Sequence, residues 1–113
     1  WDPNEDDAEK ARQQDAWSLI QRSHAVANGL PVIVANRVGH EPDHSGAAAG
    51  IDFWGGSFIA GPQGELLAHA GTEAELVLAT VDMSRGEDVR RIWPYLRDRR
   101  IDAYGDLTRR YRD

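Results

Sequence analysis

At 113 residues, with 41% apolar and 28% charged residues, the chain has the make-up of one folded domain at most, which excludes disordered and collagen-like classes. A net charge of −6 argues against a general nucleic-acid binder, and the absence of cysteine removes disulfides, thiolate metal ligands and thiol nucleophiles together. No apolar run approaches the ~20 residues needed to cross a bilayer, and no basic stretch leads into a signal-like apolar one, so a cytoplasmic protein without membrane contact is expected.

The chain opens on Trp1 rather than methionine, as a piece of something longer would. Asp2-Pro3-Asn4-Glu5 offers a capping acid, a proline suited to a first helical position and a glutamate three residues after the cap. A long helix over residues 5–28 follows from this. Its early acids (Glu5, Asp6, Asp7, Glu9) and later cations (Lys10, Arg12, Arg22) suit the helix dipole, and Asn28-Gly29 is a stop signal. Ala16, Trp17, Ile20 and Ala27 keep helical spacing and define the face expected to be buried.

Residues 31–35 are apolar on both faces, as in a central strand covered on two sides. Residues 40–50 read as a polar, glycine-rich loop. A second strand over 53–60 meets the turn Gly61-Pro62-Gln63-Gly64 and returns as a hairpin over 65–70. Residues 75–81 form another apolar run, expected to be a strand. Ser84-Arg85-Gly86-Glu87 matches a capping box opening a short helix that Pro94 ends. Nine of the thirteen basic residues lie from Arg85 onward, interleaved with aspartates. That mixture fits ion pairs at a domain or subunit surface better than phosphate binding. Buried strands and a hairpin preceded by a helix indicate an α/β layer rather than an all-β barrel.

The chemical motifs are weak. His40-Glu41-Pro42-Asp43-His44 has the letters of a zinc-binding H-E-x-x-H, but the proline and following glycines place it in a loop where two imidazoles do not stack. No metal is expected. Gly55-Gly56-Ser57-Phe58-Ile59 begins like a nucleophile elbow but has isoleucine at the second glycine and no helix after it. Asn36 and Arg37 end the first strand, where sites gather in α/β layers, although a structural ion pair for Arg37 is as natural. His24 on the long helix reads first as a packing residue.

Three stretches, RSHAVANGLPVIVANRVG, DFWGGSFIAGPQGELLAHAG and ELVLATVDM, followed by YLRDRRIDAYGDL, together resemble the C-terminal half of a nitrilase-superfamily carbon–nitrogen hydrolase. Within it they are most like the amidases that act on N-carbamoylputrescine. The resemblance implies an α-β-β-α sandwich, of which residues 1–113 are the C-terminal portion of a single domain. It also implies covalent catalysis by a cysteine, a glutamate base and an oxyanion-binding lysine. In family members all three precede the segment matched here; this chain has no cysteine, and its sole lysine, Lys10, lies in the long helix. No catalytic residue is therefore assigned, no cofactor is expected, and the chain alone should be inactive.

What the resemblance does carry over is a pocket wall. Asp2 corresponds to the position where an acid meets the distal amine of an N-carbamoyl amine substrate, in competition with its role as a helix cap. His24, Asn36, Phe53 and Trp54 are the other candidate lining residues. The expected partners are the missing N-terminal half and a second copy, met through the long helix and the C-terminal tail. A separately made, inactive nitrilase-like interaction module is the alternative.

Overall fold

The structure, a computed structural model, describes residues 1–111; the last two residues of the arginine-rich tail lie outside them. Helix α1 spans Asp7–Asn28. Its cap is Asp6, which accepts from the Glu9 amide at 2.9 Å, and not Asp2. Both acids stand three residues before a glutamate, so the spacing alone does not separate them. Tertiary contact does: the Trp1 ammonium donates to the Asp52 carbonyl at 2.7 Å and the Asp52 amide to the Trp1 carbonyl at 2.9 Å, which holds the chain start away from the helix axis. Asp2 instead closes a local turn by accepting from the Asn4 amide at 2.9 Å. The helix ends at Gly29, whose φ of 58° is left-handed and whose N–H returns to Ala25 and Val26.

Strands β1 (Val32–Val34), β4 (Phe58–Ala60) and β5 (Leu66–His69) form one antiparallel sheet in the order β1-β4-β5. Strands β2 (Val38–Glu41) and β3 (Ile51–Trp54) form a separate antiparallel pair. The expected central strand at residues 31–35 is thus an edge, with Ile33 75% exposed, and the centre is β4, buried along its whole length. An apolar run covered on two sides and one awaiting cover look alike in sequence. The predicted loop at 40–50 begins inside β2, because Val38 to Glu41 find partners in Trp54 to Ile51.

The predicted strand over 53–60 is broken between Trp54 and Phe58. Gly55 and Gly56 take φ of 63° and 67°, turning the chain out of one sheet and into the other. A Cβ on Gly55 would stand 2.6 Å from the Gly71 carbonyl oxygen and 2.8 Å from Val38 Cγ1. The Gly61–Gly64 turn and β4–β5 hairpin occur as expected.

Helix α1 lies on the three-stranded sheet, where Ala25, Phe58 and Ala60 form the buried cluster and Trp17, Val32 and Val34 pack around it. Of the predicted helix face, only Trp17 turns inward; Ala16, Ile20 and Ala27 are exposed, and Leu19 beside them is 62% exposed. Helix α2 (Met83–Ile92) is capped by Asp82 rather than Ser84. The Ser84 hydroxyl and amide both donate to the Asp82 carboxylate and hold it below the usual carboxylate range. Trp93 and Pro94 end the helix, and the tail makes two short 3-10 turns, Ile101–Ala103 and Gly105–Thr108. Residues 75–81, expected to be a strand, take no regular secondary structure and join neither sheet.

The result is an open body. Its radius of gyration is 18.6 Å, against about 13 Å for a compact chain of this length. Its accessible surface is 8428 Å², against roughly 6,200 Å² for a compact chain of this mass.

Phe58→Ala is expected to destabilise the chain by about 3–5 kcal/mol, enough to release α1 from the sheet. A tryptophan-emission urea titration checks it, and an unchanged midpoint would contradict the packing. Gly55→Ala should cost about 1–3 kcal/mol through backbone strain alone, read in the same titration.

Candidate functional site

The break at Gly55 and Gly56 positions a wall of aromatic rings. Trp54 stands 5.1 Å from Trp1 and 5.9 Å, edge-on, from Trp17, which in turn meets Phe58 edge-on at 6.1 Å. These rings join the chain start, α1, β3 and β4. Trp1 is fixed further by its indole N–H, which donates to the Lys10 carbonyl at 2.9 Å, and Lys10 Nζ closes the loop on the Pro3 carbonyl at 3.1 Å. Asp2 therefore follows an anchored residue, and its exposed carboxylate stands next to the Trp1–Trp54 pair in sequence.

The Trp54 indole nitrogen is buried without a hydrogen-bond partner among the described residues. Beside it, Gly56 leaves open a point within 3.5 Å of Gln14 Nε2, 3.6 Å of Trp54 Cδ1 and 3.9 Å of His69 Nε2. The sequence marked Trp17 only as part of a buried helix face, and it did not point to Trp1, Gln14 or His69 as neighbours of Trp54 and Gly56. Four tryptophans in a chain of this length were a usable signal that an aromatic cluster exists, but nothing in their spacing shows that they converge.

Asn36 lies at the other side of the break and acts as a clamp. Its Nδ2 donates to the Gly55 carbonyl at 2.7 Å, its Oδ1 accepts from the Arg37 amide at 2.9 Å, and its own amide donates to Ser57 Oγ at 2.9 Å. With Ser57, Arg37, Glu73 and Glu75 it lines a cavity of about 360 Å³. The Ser57 hydroxyl is engaged with Asn36 on both sides, donating to its carbonyl at 3.3 Å, and sits in extended chain between two strands rather than at a strand-to-helix elbow. It is a strut rather than a nucleophile.

The remaining candidates are not brought to this wall. Phe53 points to the opposite face of β3 from Trp54, as strand alternation requires, with the Arg37 guanidinium 4.2 Å above its ring. Arg37 also pairs with Glu41 at 2.5 Å, the structural role weighed for it above. His24 is exposed on α1, two turns or about 10 Å along the helix from Trp17.

The two histidines of the H-E-x-x-H stretch part company as expected. His40 is on β2, its Nδ1 2.7 Å from Asp52 Oδ1, while His44 belongs to the following turn. Ser45 and Ala48 hydrogen bonds to Asp43, led by the Ser45 hydroxyl, keep that carboxylate below its ordinary range and shape the turn. Among the described residues no three acidic or imidazole side chains are grouped to hold a metal ion, and no helix is long and apolar enough to cross a membrane. The wall and the cavity beside it present aromatic, amide and carboxylate groups.

Residues 4–91 match the family model for carbon-nitrogen hydrolases. The chain is 42% identical over 95 residues to an N-carbamoylputrescine amidase of Solanum tuberosum, covering 80% of this chain and 31% of that protein. It is 33% identical over 99 residues to a citrullinase of Francisella tularensis, covering 87% of this chain and 34% of the relative. A crystal structure of a carbon-nitrogen hydrolase from Helicobacter pylori G27 superposes with a TM-score of 0.95 at 54% identity, over 99% of this chain and 39% of that one. The chain thus spans about a third of the curated relatives it matches. Helix, sheets and break share the fold of that solved hydrolase, and the chain belongs to the carbon-nitrogen hydrolase family.

Proposed function

We propose that this chain is the C-terminal portion of an amidohydrolase that converts N-carbamoylputrescine and water to putrescine, carbon dioxide and ammonia, a step of polyamine synthesis. The observation that carries the substrate is that the exposed Asp2 directly follows Trp1, whose ring packs on that of Trp54. An ammonium group is stabilised both by a carboxylate and by an aromatic face, so the two together select a substrate with a cationic far end. The likeness to a plant N-carbamoylputrescine amidase supports the same choice. Citrulline, the substrate named for another relative, bears a carboxylate beside its amine, which Asp2 repels.

The nucleophilic cysteine, base and lysine lie in the N-terminal half of the parent enzyme, where a thiolate attacks the carbamoyl carbon, ammonia leaves, and water releases the acyl group. This chain contributes the wall. Asp2 holds the distal ammonium, Trp54 covers the alkyl chain, and Asn36 positions both by tying the β1–β2 link to the break at Gly55. Oligomerisation through α1 and the tail is part of the same reading. It is supported by an apolar groove of about 550 Å³ lined by Leu19, Val26, Ala27 and Tyr95. That groove equally favours the second reading, an inactive family-like module that works by association alone.

Ammonia release separates the two. The 113-residue chain by itself is expected to release none, and a polypeptide that also carries the family's cysteine-bearing half should release it from N-carbamoylputrescine in preference to citrulline. An extended polypeptide that binds but hydrolyses neither would leave the module reading. In the active polypeptide, Asp2→Asn should raise KM for N-carbamoylputrescine about 10- to 100-fold, the worth of one charge-assisted contact. The same change should leave or improve turnover of citrulline; an equal loss on both substrates would remove Asp2 from the ammonium site.

A further inference from the structure

The connection between β2 and β3 does not set their pairing. Residues 42–50 are held by local bonds around Asp43 rather than by a tight hairpin turn, so the register at this end has to come from contacts between the strands. His40 and Asp52 are partners in that register, and His40 Nδ1 stands 2.7 Å from Asp52 Oδ1. An ionised carboxylate only accepts, so Nδ1 carries the proton and donates. The imidazole also occupies the space over Gly50, where φ is 99° and a Cβ would stand 2.9 Å from both ring atoms Cε1 and Nε2. The last residue before β3 is thus shaped to admit this ring.

Asp52 is held from two sides. Its carboxylate accepts from His40, while its backbone exchanges both hydrogen bonds with Trp1, whose ring rests on Trp54. Val38 and Trp54 are the next pair on the same face, which puts the His40–Asp52 pair roughly 7 Å along the strand from Trp54. Aspartate is a poor strand residue because its carboxylate competes for nearby backbone amides. His40 removes that competition at the residue that fastens the chain start to β3.

We propose that His40 is a positioning residue: by engaging the Asp52 carboxylate it keeps Trp1 paired with β3 and its ring against Trp54. The consequence for substrate rests on the reading of Asp2 and Trp54 as the site of the distal ammonium, since Asp2 directly follows Trp1. His40 acts there through Asp52 and Trp1, so its removal weakens substrate binding and leaves the bond-breaking steps alone.

The test uses the polypeptide that also carries the family's cysteine-bearing half. It reads exchange protection of the residue-52 amide, which the Trp1 carbonyl holds, together with KM and kcat for N-carbamoylputrescine. His40→Ala should lower that protection about tenfold and raise KM about 3- to 10-fold with kcat kept, the worth of one hydrogen bond. Asp52→Ala should do the same, and the double variant should add nothing further. His40→Asn, whose side-chain amide places a donor near the Nδ1 position, should recover most of both losses, which a variant that merely loosens the fold would not. Exchange reads the pair even in a polypeptide that hydrolyses nothing. Unchanged protection in His40→Ala, additive losses in the double variant, or a KM raised by Asp2→Asn but not by His40→Ala would each overturn the proposal. Protection lost in His40→Ala, with KM unmoved there and in Asp2→Asn alike, leaves the positioning role standing and removes the ammonium reading.

Discussion

Phe58 sits where the three parts of this molecule meet. Its ring is almost wholly buried between Trp17 of α1 and the Ala25–Ala60 contact, and its strand is the middle one of the sheet. The helix has few apolar residues on its inner face, so this aromatic and two alanines supply much of what holds it down. Small residues at 25 and 60 let the helix approach closely enough for Trp17 to meet Phe58 edge-on. The hairpin, the edge strand and the helix all take their places from that contact.

The break at Gly55 and Gly56 converts this packing into a site. One continuous strand would have carried Trp54 into the same sheet as Phe58. The left-handed glycines let β3 pair with β2 instead and leave Trp54 facing both Trp17 and Trp1. Asn36 locks the arrangement with hydrogen bonds to both sides of the break. The chain start is recruited into the same assembly by its pairing with Asp52, and Asp2 closes a local turn there instead of capping the helix. The carboxylates held below their ordinary range are turn and cap residues such as Asp43 and Asp82 and an arginine-paired Asp102.

The open shape is the counterpart of the short core. Leucines at 76 and 78, the outward face of α1 and the tail aromatics are apolar surfaces that a soluble body of this size would normally bury against something. The matched hydrolases are about three times as long as the chain. A layered α/β domain buries both faces of its sheets only when all of its layers are present.

Local signals were legible from the residues alone where the chemistry is local. Gly29 stops α1 because a left-handed residue there returns amides to the last carbonyls, Gly61-Pro62-Gln63-Gly64 turns β4 into β5, and Pro94 closes α2. The family was legible too, through motifs spread over most of the chain. Tertiary structure alone decided which of two equally spaced acids caps α1, that β1 is an edge and β4 the centre, and that 75–81 joins neither sheet among the described residues. It also decided that Phe53 and Trp54 face opposite ways about a break, so that only one of them meets Trp1. Each of these depends on partners distant in sequence, and a hydrophobic pattern records that a residue prefers burial without recording which neighbour provides it.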